Sequence, residues 1–429
     1  FSVDIKYSIT QLRKLIHKYN NWLENEDKKS GAFDEVLQKI SELNVNKAKD
    51  ISKRIEEGIE ILEKDKNAQE AFMYMNMAML QQQFHYTLST EKDFKYEGQL
   101  RNINYADEIK NIKIGDKIIK KGKWYPFQIS FIIMNIKSFI DPLSKDRDIM
   151  DLIWFPTGGG KTEAYLGLSA FVIFLRKIIN PDSYGNAVIM RYTLRLLTTQ
   201  QFLRASTLIC ACEKIRSENE NKLGKLSIEI GLWIGGEATP NKIENANYLL
   251  DNLPTRFDLE NKFLLINCPW CGADMGPKPD PQNNKKRIVL GYRKEKKKFV
   301  FACENEECNF SHKKNKILPI TVIDEVIYKK SPDLIVGTID KFAMLPWRQE
   351  AIDCFGNKNG KTSTDLIIQD EFHLISGPLG SMAGMFEISI NALTEKKINN
   401  KIINAKIIGS TATISRAEKQ ITSIYARNG

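Results

Sequence analysis

Leu152-Ile153-Trp154-Phe155-Pro156-Thr157-Gly158-Gly159-Gly160-Lys161-Thr162 is an apolar run that opens into three glycines, a lysine and a threonine. The run has the length of a buried strand, and the glycines let backbone N–H groups turn inward around a phosphate. Thr157, Gly158, Gly159, Gly160, Lys161 and Thr162 are therefore the candidate cradle. Lys161 supplies a point charge for terminal phosphates, and Thr162 offers a hydroxyl to magnesium. Glu163 to Leu175 is apolar enough to form the buried helix whose N-terminal dipole faces the anion. The general phosphate-loop pattern asks for a glycine where this chain has Phe155.

About two hundred residues on, Leu366-Ile367-Ile368-Gln369 reads as a second buried strand and ends in Asp370-Glu371-Phe372-His373. Adjacent carboxylates at a strand end are what a magnesium-ATP site needs. Asp370 would hold the metal through its water shell, and Glu371 would orient and deprotonate the attacking water. His373 would link the nucleotide to a nucleic-acid side. A third strand signal, Ile407-Ile408-Gly409, leads into Ser410-Thr411-Ala412-Thr413, where Ser410, Thr411 and Thr413 are candidate coupling residues. Alone, an Asp-Glu helix cap or a hydroxyl-rich turn would explain either segment. Their order behind a phosphate loop favours the catalytic reading.

From Trp124 onward apolar strand signals alternate with helices, the pattern of an open parallel sheet. Gln128 lies about thirty residues before the loop. It reads equally as a group that recognises the adenine edge or as part of an ordinary helix start. Ala187 to Gln201 predicts a strand followed by a basic, hydroxyl-rich turn and helix, whose Arg191, Arg195 and Thr198 are candidates for phosphodiester contact. Gly235 and Gly236 after one apolar strand, and Thr338 and Lys341 after another, extend that set. Residues 1–120 look mostly helical, with Ile51, Ile55, Ile59 and Leu62 at helical spacing and Gly31 and Gly58 as weak points.

Cys268-Pro269-Trp270-Cys271 and, about thirty residues later, Cys303 and Cys308 are two close pairs separated by a hairpin-sized spacer. This spacing predicts a zinc-ribbon-like module with a closed four-thiolate site, structural in role. Free thiols or a redox pair are the other reading. His312 is a possible substitute ligand that reads better as a loop histidine. Cys210, Cys212 and Cys354 have no partner at metal spacing and are expected in cores.

The chain has 429 residues, enough for about two or three domains. We divide it into an N-terminal helical domain (1–120), an α/β lobe (121–429) and an insertion within that lobe (262–315). A net charge of +10, with a lysine-rich stretch from Lys285 to Lys298, fits a polyanionic partner or a solvated face. No apolar run reaches the roughly eighteen residues that span a bilayer. Seven cysteines are too few for a disulfide scaffold of this size, so a reducing cytoplasm is the expected setting. The chain begins with Phe1, and its natural start is expected to lie upstream.

Pro-Thr-Gly-x-Gly-Lys-Thr is the form favoured by helicase-type ATPases, and Ser410 to Thr413 resembles the Ser-Ala-Thr motif by which superfamily 2 helicases couple ATP state to strand grip. Three stretches together resemble the DrmA family, the helicase component of bacterial DISARM anti-phage systems. They are Pro156 to Leu166, Tyr192 to Thr198, and Gln369-Asp370-Glu371-Phe372-His373-Leu374-Ile375-Ser376-Gly377-Pro378-Leu379-Gly380. The resemblance covers roughly 124–415 and implies a RecA-like first motor lobe. It further implies an ATP-dependent DNA-binding motor that works with a second DISARM protein and cooperates with DNA methylation against phage. ATP, magnesium and structural zinc are the expected cofactors, and DNA, single-stranded or with single-stranded ends, the expected ligand; no membrane partner is expected. After Thr413 neither a second lobe nor Gln-x-x-Gly-Arg-x-x-Arg follows. Such enzymes complete hydrolysis with arginines from that lobe, so this segment is expected to bind nucleotide weakly and turn it over slowly or not at all, and the full protein to continue beyond Gly429. Rival readings are a nucleotide-gated DNA-binding scaffold that recruits partners without unwinding, and an RNA-remodelling helicase.

Overall fold

The computed structural model describes residues 4–31, 33–91, 96, 98–100, 102–110, 113–114, 117–118, 122–156, 158–296, 298–355, 360–413 and 416–428. Its principal helices are α1 (Ile5–Ser30), α2 (Glu35–Lys64), α3 (Lys66–Thr90), α4 (Pro126–Ile140), α5 (Lys161–Ile179), α6 (Arg195–Glu218), α7 (Gly377–Thr394) and α8 (Ala417–Tyr425). Asparates start the first three. Asp4 and Asp34 accept from backbone N–H groups of the first turns of α1 and α2. Asp65 closes α2 through its N–H to Ile61 O and opens α3 by accepting from Ala68 N at 2.8 Å.

Seven strands form the main sheet: β1 (Asp151–Trp154), β2 (Val188–Tyr192), β3 (Ile230–Trp233), β4 (Ile320–Thr321), β5 (Leu334–Thr338), β6 (Leu366–Gln369) and β7 (Lys406–Thr411). Their order is β4-β3-β5-β2-β6-β7-β1, and every neighbouring pair is parallel. Strands β2, β3, β5, β6 and β7 are buried along their whole length, which is why they read as continuous apolar runs instead of alternating ones. The register pairs Thr411 with Trp154, and Gln369 with both Gly409 and Arg191. The phosphate loop, the Asp-Glu pair and the hydroxyl-rich segment thus emerge at one carboxyl edge, where open parallel sheets bind ligands. This is a RecA-like lobe.

The N-terminal helices pack into that lobe. Helix α3 carries methionines at 73, 75, 77 and 79; Phe72, Met75, Ala78 and Met79 are buried against α5 and α6. Helix α2 lies on α4, burying Ile55, Ile59 and Leu62, while Ile51 of the expected stripe stays exposed. Gly58 is not a weak point. A Cβ there would lie 2.1 Å from Ile133 O, so glycine is what allows the two helices to touch. Arg54 of α2 also grips the first residue of β1, with bonds of 2.6 and 2.7 Å to the Asp151 carboxylate, which Lys406 contacts from the other side at 2.7 Å.

Between β3 and β4 the chain builds two antiparallel hairpins, Gly276–Pro279 with Arg287–Leu290 and Tyr292–Glu295 with Lys298–Phe301. A small aromatic core of Phe263, Tyr292, Phe299 and Phe301 fills this module. No described helix is long and apolar enough to cross a membrane.

Candidate nucleotide and metal sites

At the end of β1 the chain leaves the sheet at Phe155 and turns through Gly158 (φ +79°) and Gly160 (φ +89°) into α5. Both are left-handed conformations that cost a side chain energy, and at Gly159 a Cβ would meet the Phe155 ring at 2.5 Å. Thr157 lies outside the described residues. Lys161 opens α5 and donates from Nζ to Phe155 O at 2.7 Å, so its ammonium folds over the loop. Gln128, buried in the first turn of α4, accepts from Tyr125 N and donates to Gly160 O, each at 2.8 Å. That side chain ties α4 to the loop.

Tyr165, one turn along α5, connects the two predicted halves of the site. Its hydroxyl lies 3.2 Å from Thr162 Oγ1 and 2.8 Å from Asp370 Oδ2, which accepts from it. The hydroxyl of Thr162 and the carboxylate of Asp370 are thus one hydroxyl apart. Burial, reinforced by Asp370, raises the Tyr165 phenol well above its ordinary range, so it serves as a neutral donor. Sequence reasoning assigned Tyr165 no role; its position three residues past Thr162, on the same helix face, was the available signal.

Glu371 sits at φ +47°, a left-handed conformation in a residue that ordinarily avoids it. Its N–H donates to Asp370 Oδ1 at 2.9 Å. His373 Nδ1 lies 3.1 Å from Thr411 Oγ1 and 3.5 Å from Glu371 Oε2. Thr411 in turn donates to Thr413 O at 2.8 Å. Ser410 Oγ is buried with no partner among the described residues. The Asp-Glu segment and the hydroxyl segment are therefore joined through His373 and Thr411.

The other end of the same edge is different. Gly235 and Gly236 lie at the carboxyl end of β3, and Gly236 is exposed. Arg191, expected to contact nucleic acid, is fully buried: its guanidinium pairs with Glu387 of α7, approaches Tyr425 OH at 3.4 Å and lies over the Phe342 and Tyr425 rings. Lys341 is also turned inward, donating to Asp324 Oδ2 at 2.8 Å over the Trp233 ring. In this arrangement each cation neutralises a buried carboxylate. Thr198 donates back to Leu194 O, and Thr338 Oγ1 is buried. Arg195 begins α6, but its side chain lies outside the described residues.

Cys268, Cys271, Cys303 and Cys308 converge, their Sγ atoms all within 4.8 Å of one another. The Cys268–Cys308 and Cys271–Cys303 separations are 4.0 and 3.4 Å. Four sulfurs at about 2.3 Å from zinc would stand about 3.8 Å apart, so the cluster fits that ion. Backbone N–H groups of Asn305 and Phe310 point at Cys303 and Cys308 Sγ, as thiolate ligands require. His312 instead faces Cys303 O and Glu304. Cys210, Cys212 and Cys354 are buried in cores. The cysteine module docks on one N-terminal helix and one helix of the lobe: His85 of α3 stacks on Trp270 with ring centres 3.4 Å apart, and Thr207 of α6 donates to Pro269 O at 3.0 Å.

No protein-family model matches the chain. Among solved structures it is similar to the Mycobacterium smegmatis helicase Lhr bound to single-stranded DNA and AMP-PNP, at 15% identity over 70% of this chain and 24% of that one, with a TM-score of 0.35. The DUF1998 helicase MrfA bound to DNA aligns at 11% identity over 71% of this chain and 26% of its own, with a TM-score of 0.34. In sequence the chain is 33% identical to the DISARM protein DrmA of Bacillus paralicheniformis over an alignment of 469 positions. That alignment takes in 99% of this chain and 39% of the relative. The chain is thus a relative of the DISARM protein DrmA, as its motifs imply, and spans 39% of that protein's length.

Proposed function

We propose that this chain is the first motor lobe of an ATP-dependent DNA helicase or translocase acting in phage defence. The observation that carries the reading is the Thr162–Tyr165–Asp370 connection. A magnesium-nucleotide site needs a hydroxyl and a carboxylate on one metal ion, with a lysine at the phosphates and a second carboxylate for water. Thr162, Asp370, Lys161 and Glu371 supply those four groups at one sheet edge. Bound magnesium-ATP would supply the leaving group and charge compensation for phosphoryl transfer. The protein residues orient it: Lys161 takes the terminal phosphates, and Glu371 accepts the proton of the attacking water. His373 passes the state of that carboxylate to Thr411, and the rings of Phe127 and Phe155, stacked 4.1 Å apart beside the loop, offer a face to the base near Gln128.

The DISARM setting, with DNA and a second DISARM protein as partners, rests on the relationship to DrmA. In this reading a second lobe supplies the arginines that complete hydrolysis. We take residues 1–120, 121–429 and the 262–315 insertion as the units of organisation. Zinc in the four-cysteine cluster would hold the insertion's knuckle against α3; one equivalent released by a thiol-modifying reagent, together with a lowered Tm, is the expected outcome, and a chain free of metal with an unchanged Tm would contradict it.

The functional test is ATP hydrolysis by the full-length protein with single-stranded DNA, duplex DNA and RNA, beside Glu371→Gln. DNA-stimulated turnover that is lost in the variant is expected. Turnover stimulated only by RNA, or preserved in Glu371→Gln, would overturn the proposal.

A further inference from the structure

The loop that would hold the phosphates has a carboxylate beside it. Glu163 lies two residues past Lys161, and a Cβ built on Gly160 would stand 3.6 Å from its Oε2 and 2.6 Å from Gln128 Nε2. A negative charge in the first turn suits the α5 dipole, yet it repels an incoming polyphosphate. Arg204 of α6 answers it. The guanidinium pairs with Glu163 through Nη2, while its Nε is buried with no partner among the described residues. Tyr86, near the end of α3, sets its ring under that guanidinium at 5.5 Å. A guanidinium held this way, with one carboxylate, one aromatic face and an unspent donor, is poised beside the loop instead of being saturated by the core. Arg147 and Arg176 show the contrast, since each is bonded to several backbone carbonyls.

Resting on the nucleotide reading above, we propose that Arg204 is a positioning residue of the phosphate site, cancelling the Glu163 carboxylate, and that Tyr86 makes this cancellation depend on the N-terminal helices. The proposal gives the helical region a role in nucleotide affinity, beyond packing.

The test is the affinity of the 429-residue chain for a fluorescent ATP analogue with magnesium, repeated with the matching ADP and AMP analogues. Arg204→Gln is expected to weaken ATP binding roughly tenfold, the scale of one uncompensated charge near a phosphate. The loss shrinks from ATP to ADP to AMP. Glu163→Gln tightens binding by about threefold, Arg204→Lys stays within about threefold of wild type, and the double variant Arg204→Gln/Glu163→Gln returns to within about twofold. Tyr86→Ala follows Arg204→Gln in direction, with Tyr86→Phe close to wild type. A double variant as weak as Arg204→Gln, or an equal loss for AMP, would overturn the charge-cancelling role. If Arg204→Gln fails to fold, the Lys and double variants carry the same comparison. Lys161→Ala separates the two levels: wild type binding, Lys161→Ala failing and Arg204→Gln unaffected sinks this inference alone, whereas a wild type that binds no nucleotide sinks the site reading and this inference with it.

Discussion

The carboxyl edge of the sheet has two halves that the sequence describes in the same vocabulary and the fold treats in opposite ways. Around β1, β6 and β7, the expected residues meet one another: Thr162 and Asp370 through Tyr165, Glu371 and His373 with Thr411. Around β2 and β5, the expected cations meet the core: Arg191 takes Glu387 and Lys341 takes Asp324. Polar groups that serve a ligand keep valences open toward a common point. Those that serve the fold spend their charge on a buried partner, where removing one member leaves the other uncompensated.

That difference can be broken experimentally. Arg191→Ala should cost about 3–5 kcal/mol in urea unfolding, because it strands Glu387 in the core, while Arg191→Met with Glu387→Leu should recover most of the loss. If Arg191 instead contacted nucleic acid, the single variant would unfold normally and change only the salt dependence of binding. Lys341→Ala should cost less, about 2–3 kcal/mol, since it breaks one bond to a single carboxylate.

The charged pairs also separate by pH. Burial raises the carboxyls of Glu387 and Asp324 despite their cations, so their contribution is greatest below the ordinary carboxylate range and falls as pH rises through the raised values. Lys406 and Arg54 hold Asp151 below its ordinary value, so its contribution is present above about pH 4 and disappears as pH falls through the depressed value. Asp151→Asn should therefore flatten the acid limb of a stability profile, and Asp324→Asn should leave that limb in place. An acid limb unchanged by Asp151→Asn would contradict this assignment. The smallest effect on stability is at Glu371: glycine there relieves the φ of +47° and should stabilise the fold by about 0.5–1 kcal/mol, while under the proposed function it abolishes turnover by the full-length protein. A destabilised Glu371→Gly chain would mean that the side chain supports the fold.

The lobe was legible because its elements are fixed by short-range signals. Glycines at positive φ, fully apolar strands and the spacing of two cysteine pairs each leave a local trace. The inward pairing of Arg191 and Lys341 left no local trace, because a cation near a strand end looks the same whether its partner is a phosphate or a buried carboxylate, 196 residues away in Glu387 for Arg191 and 17 in Asp324 for Lys341. Gly58 was misread for a related reason: helix propensity counts against glycine, whereas the close approach of Ile133 that requires it is a tertiary fact. The docking of Trp270 on His85 left no local trace either, since it joins residues that only the finished fold brings together.

The most direct measurement is calorimetric titration of magnesium-ATP into this chain and into Lys161→Ala, with Tm recorded for both. Convergence of Lys161, Thr162 and Asp370 on one phosphate site predicts saturable binding that the variant loses at an unchanged Tm. Absence of binding by the wild-type chain, or equal binding by Lys161→Ala, would contradict it.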